Sequence, residues 1–132
     1  MQSSILSSST AQSSAVSGAS AQSKPYVYAL IRRDIPFAQQ LVQVGHAALE
    51  AGREHYDGKE TASFIVLQVP DRAALESAAR TLEALDIEHH LFHEPDFGMG
   101  HSALATRPVR GKERQHFRRW PLWREEAPQA PR

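Results

Sequence analysis

Two apolar runs decide what this chain can fold into. Tyr26-Val27-Tyr28-Ala29-Leu30-Ile31 and Ser63-Phe64-Ile65-Val66-Leu67-Gln68-Val69 are rich in β-formers and carry apolar residues at successive positions. A strand with one wet face alternates apolar and polar residues. Runs without that alternation belong to strands covered on both sides. Between the two lies room for one helix. Asp34 precedes it, Pro36 suits its first turn, and the Asp57-Gly58 turn signal closes it. A strand-helix-strand unit of this kind makes a parallel pair through a right-handed crossover.

The rest of the chain fits the same layered plan. Pro70-Asp71 opens a second helix with Asp71 as N-cap, and Leu75, Ala78, Ala79, Leu82 and Leu85 make its apolar stripe. Ile87–Glu94 reads as a third strand and Ser102–Arg107 as a fourth. The short Asp96–Gly100 link makes these two antiparallel. Pro108 stops the fourth strand, Gly111–Arg119 suits a short helix, and the chain is expected to fray beyond Pro121. The expected fold is therefore α/β: a small mixed four-stranded sheet with helices on both faces, built from residues 25–124 as one domain. Residues 1–24 are expected to be a disordered tail and 125–132 a frayed end. Ten of the first 24 residues are Ser, and no charge appears before Lys24, so too little apolar bulk is available to offset ordering. The absence of Arg in that tail argues against a transit peptide.

Bulk composition narrows the function classes. Formal net charge is zero, so no global field draws the protein to a polyanion, although local patches escape this argument. The chain has no Cys, which removes disulfides, thiolate metal sites and cysteine nucleophiles. No apolar run is long enough for a membrane helix.

The first helix holds the most suggestive residues. Leu41, Val44, Gly45, Ala48, Leu49 and Gly52 recur at helical period as one apolar stripe. The opposite face carries Gln39, Gln43, His46 and Glu50, groups that donate and accept hydrogen bonds. His46 reads either as a half-buried structural imidazole or as a proton-transfer group. Glu94-Pro95-Asp96-Phe97-Gly98 places two carboxylates at a strand end, where an acid can orient a ligand or simply bond its own turn. His89 and His93 share one face of the third strand and His90 takes the other with Phe92. Strand residues four apart lie about 13 Å from each other, too far to share one ion, so no metal is expected. The C-terminal run Arg107, Arg110, Lys112, Arg114, Arg118, Arg119 and Arg124, interleaved with Phe117, Trp120 and Trp123, suits phosphate contact and base stacking, or else a solvated helix packed through its aromatics.

Arg32-x-Asp34, Gln43-x-x-His46-Ala47, Glu94-Pro95-Asp96 and Ser102-Ala103-Leu104-Ala105-Thr106-Arg107-Pro108 occur in this order. Together they resemble the type II peptidyl-tRNA hydrolase family, most of all its divergent peptidyl-tRNA hydrolase domain-containing branch, over about Tyr26–Trp123. The resemblance implies the fold expected above and hydrolysis of the ester that joins a peptide to the terminal ribose of tRNA. It also implies tRNA as partner, no cofactor, a cytoplasmic setting and a possible homodimer. By position Gln43 and His46 match the family's helix Gln and His, Asp96 its Asp, and Ser102 a Thr that opens the last strand. These four are the catalytic candidates. Arg32, Asp34, Gln39, Arg107 and Arg110 are the candidates for substrate binding. Gln39 stands where the family has a catalytic-site Lys, and the loop after Asp96 is shortened. Two readings follow: a hydrolase, or an inactive relative that binds tRNA or protein without turnover.

Overall fold

The computed structural model describes residues 23–125. The expectations for the Ser-rich tail and for the C-terminal end concern residues that fall almost wholly outside that range. The elements are β1 (Tyr26–Arg32), α1 (Phe37–His55), β2 (Ser63–Val69), α2 (Arg72–Ala84), β3 (His89–Glu94) and β4 (Gly100–Thr106), with 3-10 segments at Asp96–Gly98 and Gly111–Arg119. The sheet order is β2-β1-β4-β3. β1 and β2 are parallel, while β4 runs antiparallel to both β1 and β3. This is the mixed four-stranded sheet with helices on both faces that the apolar runs imply. β3 starts two residues later than the sequence suggests, and β4 starts two earlier, at Gly100.

The two faces are packed differently. On one, α2 buries Leu75, Ala78, Ala79 and Leu82 against Tyr28, Leu30, Leu67 and Leu104. The Asp71 side chain accepts from the Ala74 amide at 2.9 Å, which caps the helix as expected. Leucines buried this fully contribute about 2 kcal/mol each. Phe117, from the last 3-10 segment, joins this face and stacks on Tyr28 with ring centroids 4.0 Å apart.

On the other face α1 lies across β1, β4 and β3. Here the periodicity argument picked the wrong side of the helix. Leu41 and Leu49 are 59% and 73% exposed, whereas the buried residues of α1 are Gln40, Gln43, Ala47 and Ala51. The sheet beneath offers Ala29, Ala103 and Ala105. Alanine on both surfaces lets helix and sheet backbones approach closely, and a leucine stripe would not fit the gap. Two glutamines can then face inward because their polar atoms are satisfied. Gln40 donates to the Ile35 carbonyl at 2.8 Å and accepts from the Trp123 indole at 2.7 Å.

The chain also does not fray at Pro121. The Gln68 amide bonds the Pro121 carbonyl and the Trp123 amide bonds the Val66 carbonyl, both at 2.9 Å, so this segment extends the open edge of β2. The Trp123 ring stacks on Phe37 at 5.7 Å.

Candidate functional site

One irregularity in the sheet builds the site. Phe92 pairs with Ala103, but His93 pairs with His101, so Ser102 is an extra residue in β4. Strict alternation would send Ser102 to the α2 side with Leu104. A bulge re-aims the side chain, and Ser102 turns to the α1 side, fully buried. There its hydroxyl donates to Gln43 Oε1 at 2.6 Å. Gln43 Nε2 donates to Glu94 Oε1 at 2.8 Å and to Gln39 Oε1 at 3.2 Å. Glu94 Oε2 accepts from the Asp96 amide at 3.2 Å. The result is one hydrogen-bonded chain from the buried Ser102 to the surface carboxylate Glu94.

The start of β4 is held from both sides. Gly100 has φ +69°, a backbone conformation that favours glycine, and the Arg72 guanidinium lies over it. Arg32 donates to the Met99 and His101 carbonyls at 2.8 and 2.9 Å and grips Asp34 through two parallel bonds of 2.7 and 3.0 Å. The Arg32 hydrogen bond also holds the Asp34 carboxyl below its ordinary pKa. The Arg32-x-Asp34 motif therefore positions the strand that carries Ser102, with its charges spent internally.

His46 lies one turn after Gln43, exposed, with its ring flat on Phe92 at 4.7 Å and 5° between planes. Its nitrogens make no hydrogen bond to any described residue. Glu94 is held below the ordinary carboxylate range, first by the Gln43 hydrogen bond and then by the Asp96 amide, with attraction to His46 and His93 adding to this. His46, Glu94, Gln43 and Gln39 thus cluster where α1 packs on β3.

The carboxylate that reaches Gln43 is Glu94, where sequence reasoning gave that place to Asp96. Asp96 opens the 3-10 turn after β3, exposed, with its carboxylate bonded to no described residue. Period-two alternation puts His90, Phe92 and Glu94 on one face of β3, toward α1, and that was the available signal for Glu94.

Arg107 and Arg110 are not brought to this cluster. Arg107 lies five residues along β4 from Ser102, about 17 Å away. It forms a two-pronged ion pair with Glu113 at 2.9 and 3.0 Å. Arg110 bonds Glu60 and the Ser23 carbonyl. The rest of the basic run packs over the α2 side of the sheet, on the far side from Gln43. There Lys112, Arg114 and Arg118 rim a cleft of roughly 510 Å³ floored by Tyr28, Leu67, Phe117 and Trp120. Lys112 and Arg118 are exposed and make no ion pair among the described residues.

No protein-family model matches this chain. A protein of Homo sapiens named "Putative peptidyl-tRNA hydrolase PTRHD1" is 28% identical to it over 102 residues, covering 65% of this chain and 72% of that protein. The similarity is that of a distant relative. Among the described residues no helix is long and apolar enough to cross a membrane.

Proposed function

We propose that this protein hydrolyses the ester of peptidyl-tRNA, with the chemistry at the junction of α1 and β3. The observation that carries the reading is the bonded chain Ser102–Gln43–Glu94 ending beside an unbonded imidazole, His46. An imidazole is the side chain best matched to proton transfer near neutral pH. Glu94, bonded so as to stay ionised, is a weak base but a fixed anion. It holds the attacking water and favours the imidazolium that forms when His46 takes the water proton. The water oxygen adds to the ester carbonyl carbon, and His46 returns the proton to the departing ribose oxygen. Gln39 has its Oε1 committed to Gln43, which leaves its amide N–H groups for the carbonyl oxygen as charge develops there. Asp96, exposed in the turn that follows Glu94, faces the ribose. Lys112 and Arg118, exposed cations with no ion pair among the described residues, contact tRNA phosphates. The human relative's name is consistent with this substrate.

Purified protein in excess over labelled peptidyl-tRNA tests the reading. Release of peptide, lowered about 100-fold or more by His46→Ala, is the expected result for a proton-transfer group. tRNA bound tightly and left intact would favour the second reading, a binding module. Gln39 in the place of the family Lys is the observation behind that reading.

A further inference from the structure

The contact between α1 and β3 continues beyond His46. Glu50 and Glu54 follow it at successive turns of α1, and β3 presents His90 opposite them. One ligand atom from each of Glu50, Glu54 and His90 lies within 4.8 Å of the other two. His90 Nδ1 sits 2.9 and 3.0 Å from the two Glu54 oxygens. Donor atoms around a tetrahedral zinc ion, with bonds near 2.0–2.1 Å, are separated by about 3.3 Å. The trio is already within side-chain adjustment of that spacing. Two carboxylates and one imidazole form an N/O ligand set suited to a borderline divalent cation, with a position left for water. A fourth nitrogen stands at the edge of the set. His55 Nε2 is closed to solvent, makes no hydrogen bond to any described residue, and lies 3.6 Å from Glu54 Oε1.

The molecule offers its own comparison on the other side of the sheet. His101 Nδ1 bonds Glu76 Oε2 at 2.7 Å, and His93 packs edge-on to His101. There the Arg72 guanidinium already occupies that same oxygen at 2.9 Å. One carboxylate shared by a guanidinium and an imidazole has no charge left for an ion. In the Glu50–Glu54–His90 set two carboxylates face one imidazole. The nearby cation, Arg53, is 71% exposed and bonds Glu50 alone.

We propose that Glu50, Glu54 and His90 form a binding site for a divalent cation of the zinc class, which pins the C-terminal half of α1 to the edge strand β3. The site is distinct from the residues given the ester chemistry above and stands whether or not that reading holds.

The test uses the full chain, stripped with chelator, dialysed and titrated with Zn²⁺ by calorimetry. One ion per chain is expected, with a Kd tighter than about 10 µM, and Zn²⁺ should raise the Tm. His90→Ala and Glu54→Gln, both at exposed or half-exposed positions, should each weaken binding roughly tenfold or more. His101→Ala should leave it unchanged. Circular dichroism confirms that each variant is folded. No binding at that strength, binding that survives His90→Ala, or binding lost with His101→Ala each overturns the proposal.

Discussion

Consider what happens if Gln43 is replaced by Leu. The side chain is nearly isosteric and fully buried, so packing changes little. The polar bookkeeping changes sharply, because the Ser102 hydroxyl loses the acceptor it bonds at 2.6 Å in a closed environment. A buried hydroxyl left without a partner costs about 1–3 kcal/mol. Ser102→Ala alone should cost about 1 kcal/mol, since Gln43 Oε1 is then the orphan. The double variant removes both partners and leaves apolar groups in contact. It should recover part of the loss, with a coupling energy of roughly 1–2 kcal/mol. Urea unfolding of the four proteins at neutral pH, at constant m-value, measures this. Additive losses with coupling below about 0.3 kcal/mol would show that Gln43 and Ser102 do not touch. That would refute both the inward rotation of α1 and the bulge that turns Ser102 toward it.

Four further outcomes follow from the same structure. Leu49→Glu should change stability by no more than about 0.5 kcal/mol, whereas Ala47→Leu, at a fully buried position facing the sheet, should cost about 1–3 kcal/mol by overpacking; chemical denaturation of both reports which face of α1 is inside. Glu113 is held below its ordinary pKa, chiefly by the Arg107 hydrogen bonds. Its contribution is therefore fully present above the unfolded carboxylate value of about 4.3 and is lost as pH falls below it. Glu113→Gln should flatten the acid limb of a stability-versus-pH curve and leave its alkaline side unaltered. Phe117→Ala should destabilise by about 3–4 kcal/mol, because the ring is buried on Tyr28. In contrast, Lys112→Ala with Arg118→Ala should leave Tm nearly unchanged while reducing the salt dependence of tRNA binding, read by filter binding at several salt concentrations.

The parts of the fold that were legible rest on strong, local signals. β1 and β2 announce themselves by uninterrupted apolar runs, α2 by its cap and its leucines, and the β3–β4 pair by the shortness of its link. α1 was legible as a helix but not in its rotation. A hydrophobicity count weights Leu41 and Leu49 above Ala47 and Ala51, while the small gap over Ala29, Ala103 and Ala105 selects the alanines. Whether a glutamine can be buried depends on partners distant in sequence, here Trp123, Glu94 and Ser102, and periodicity does not report them. Ser102 was a candidate by resemblance alone. Its inward turn comes from a one-residue register shift between β3 and β4 that leaves no local trace. Glu94 was within reach of the alternation argument, yet the same turn offered Asp96, the acid that the family pattern highlights. Arg107 and Arg110 lie beyond the far end of β4, away from Gln43, and pair there with Glu113 and Glu60.

The proposed ester hydrolysis is tested most directly by single-turnover peptide release from peptidyl-tRNA, comparing wild type with Glu94→Gln and with Asp96→Asn. Glu94→Gln keeps an acceptor for Gln43 but removes the anion. Wild type should release peptide, and Glu94→Gln should fall by about 100-fold or more, with Asp96→Asn reduced less because its carboxylate is bonded to no described residue. A wild type that binds tRNA without releasing peptide, or a Glu94→Gln protein as fast as wild type, would contradict the assignment of Glu94 and His46 to the chemistry.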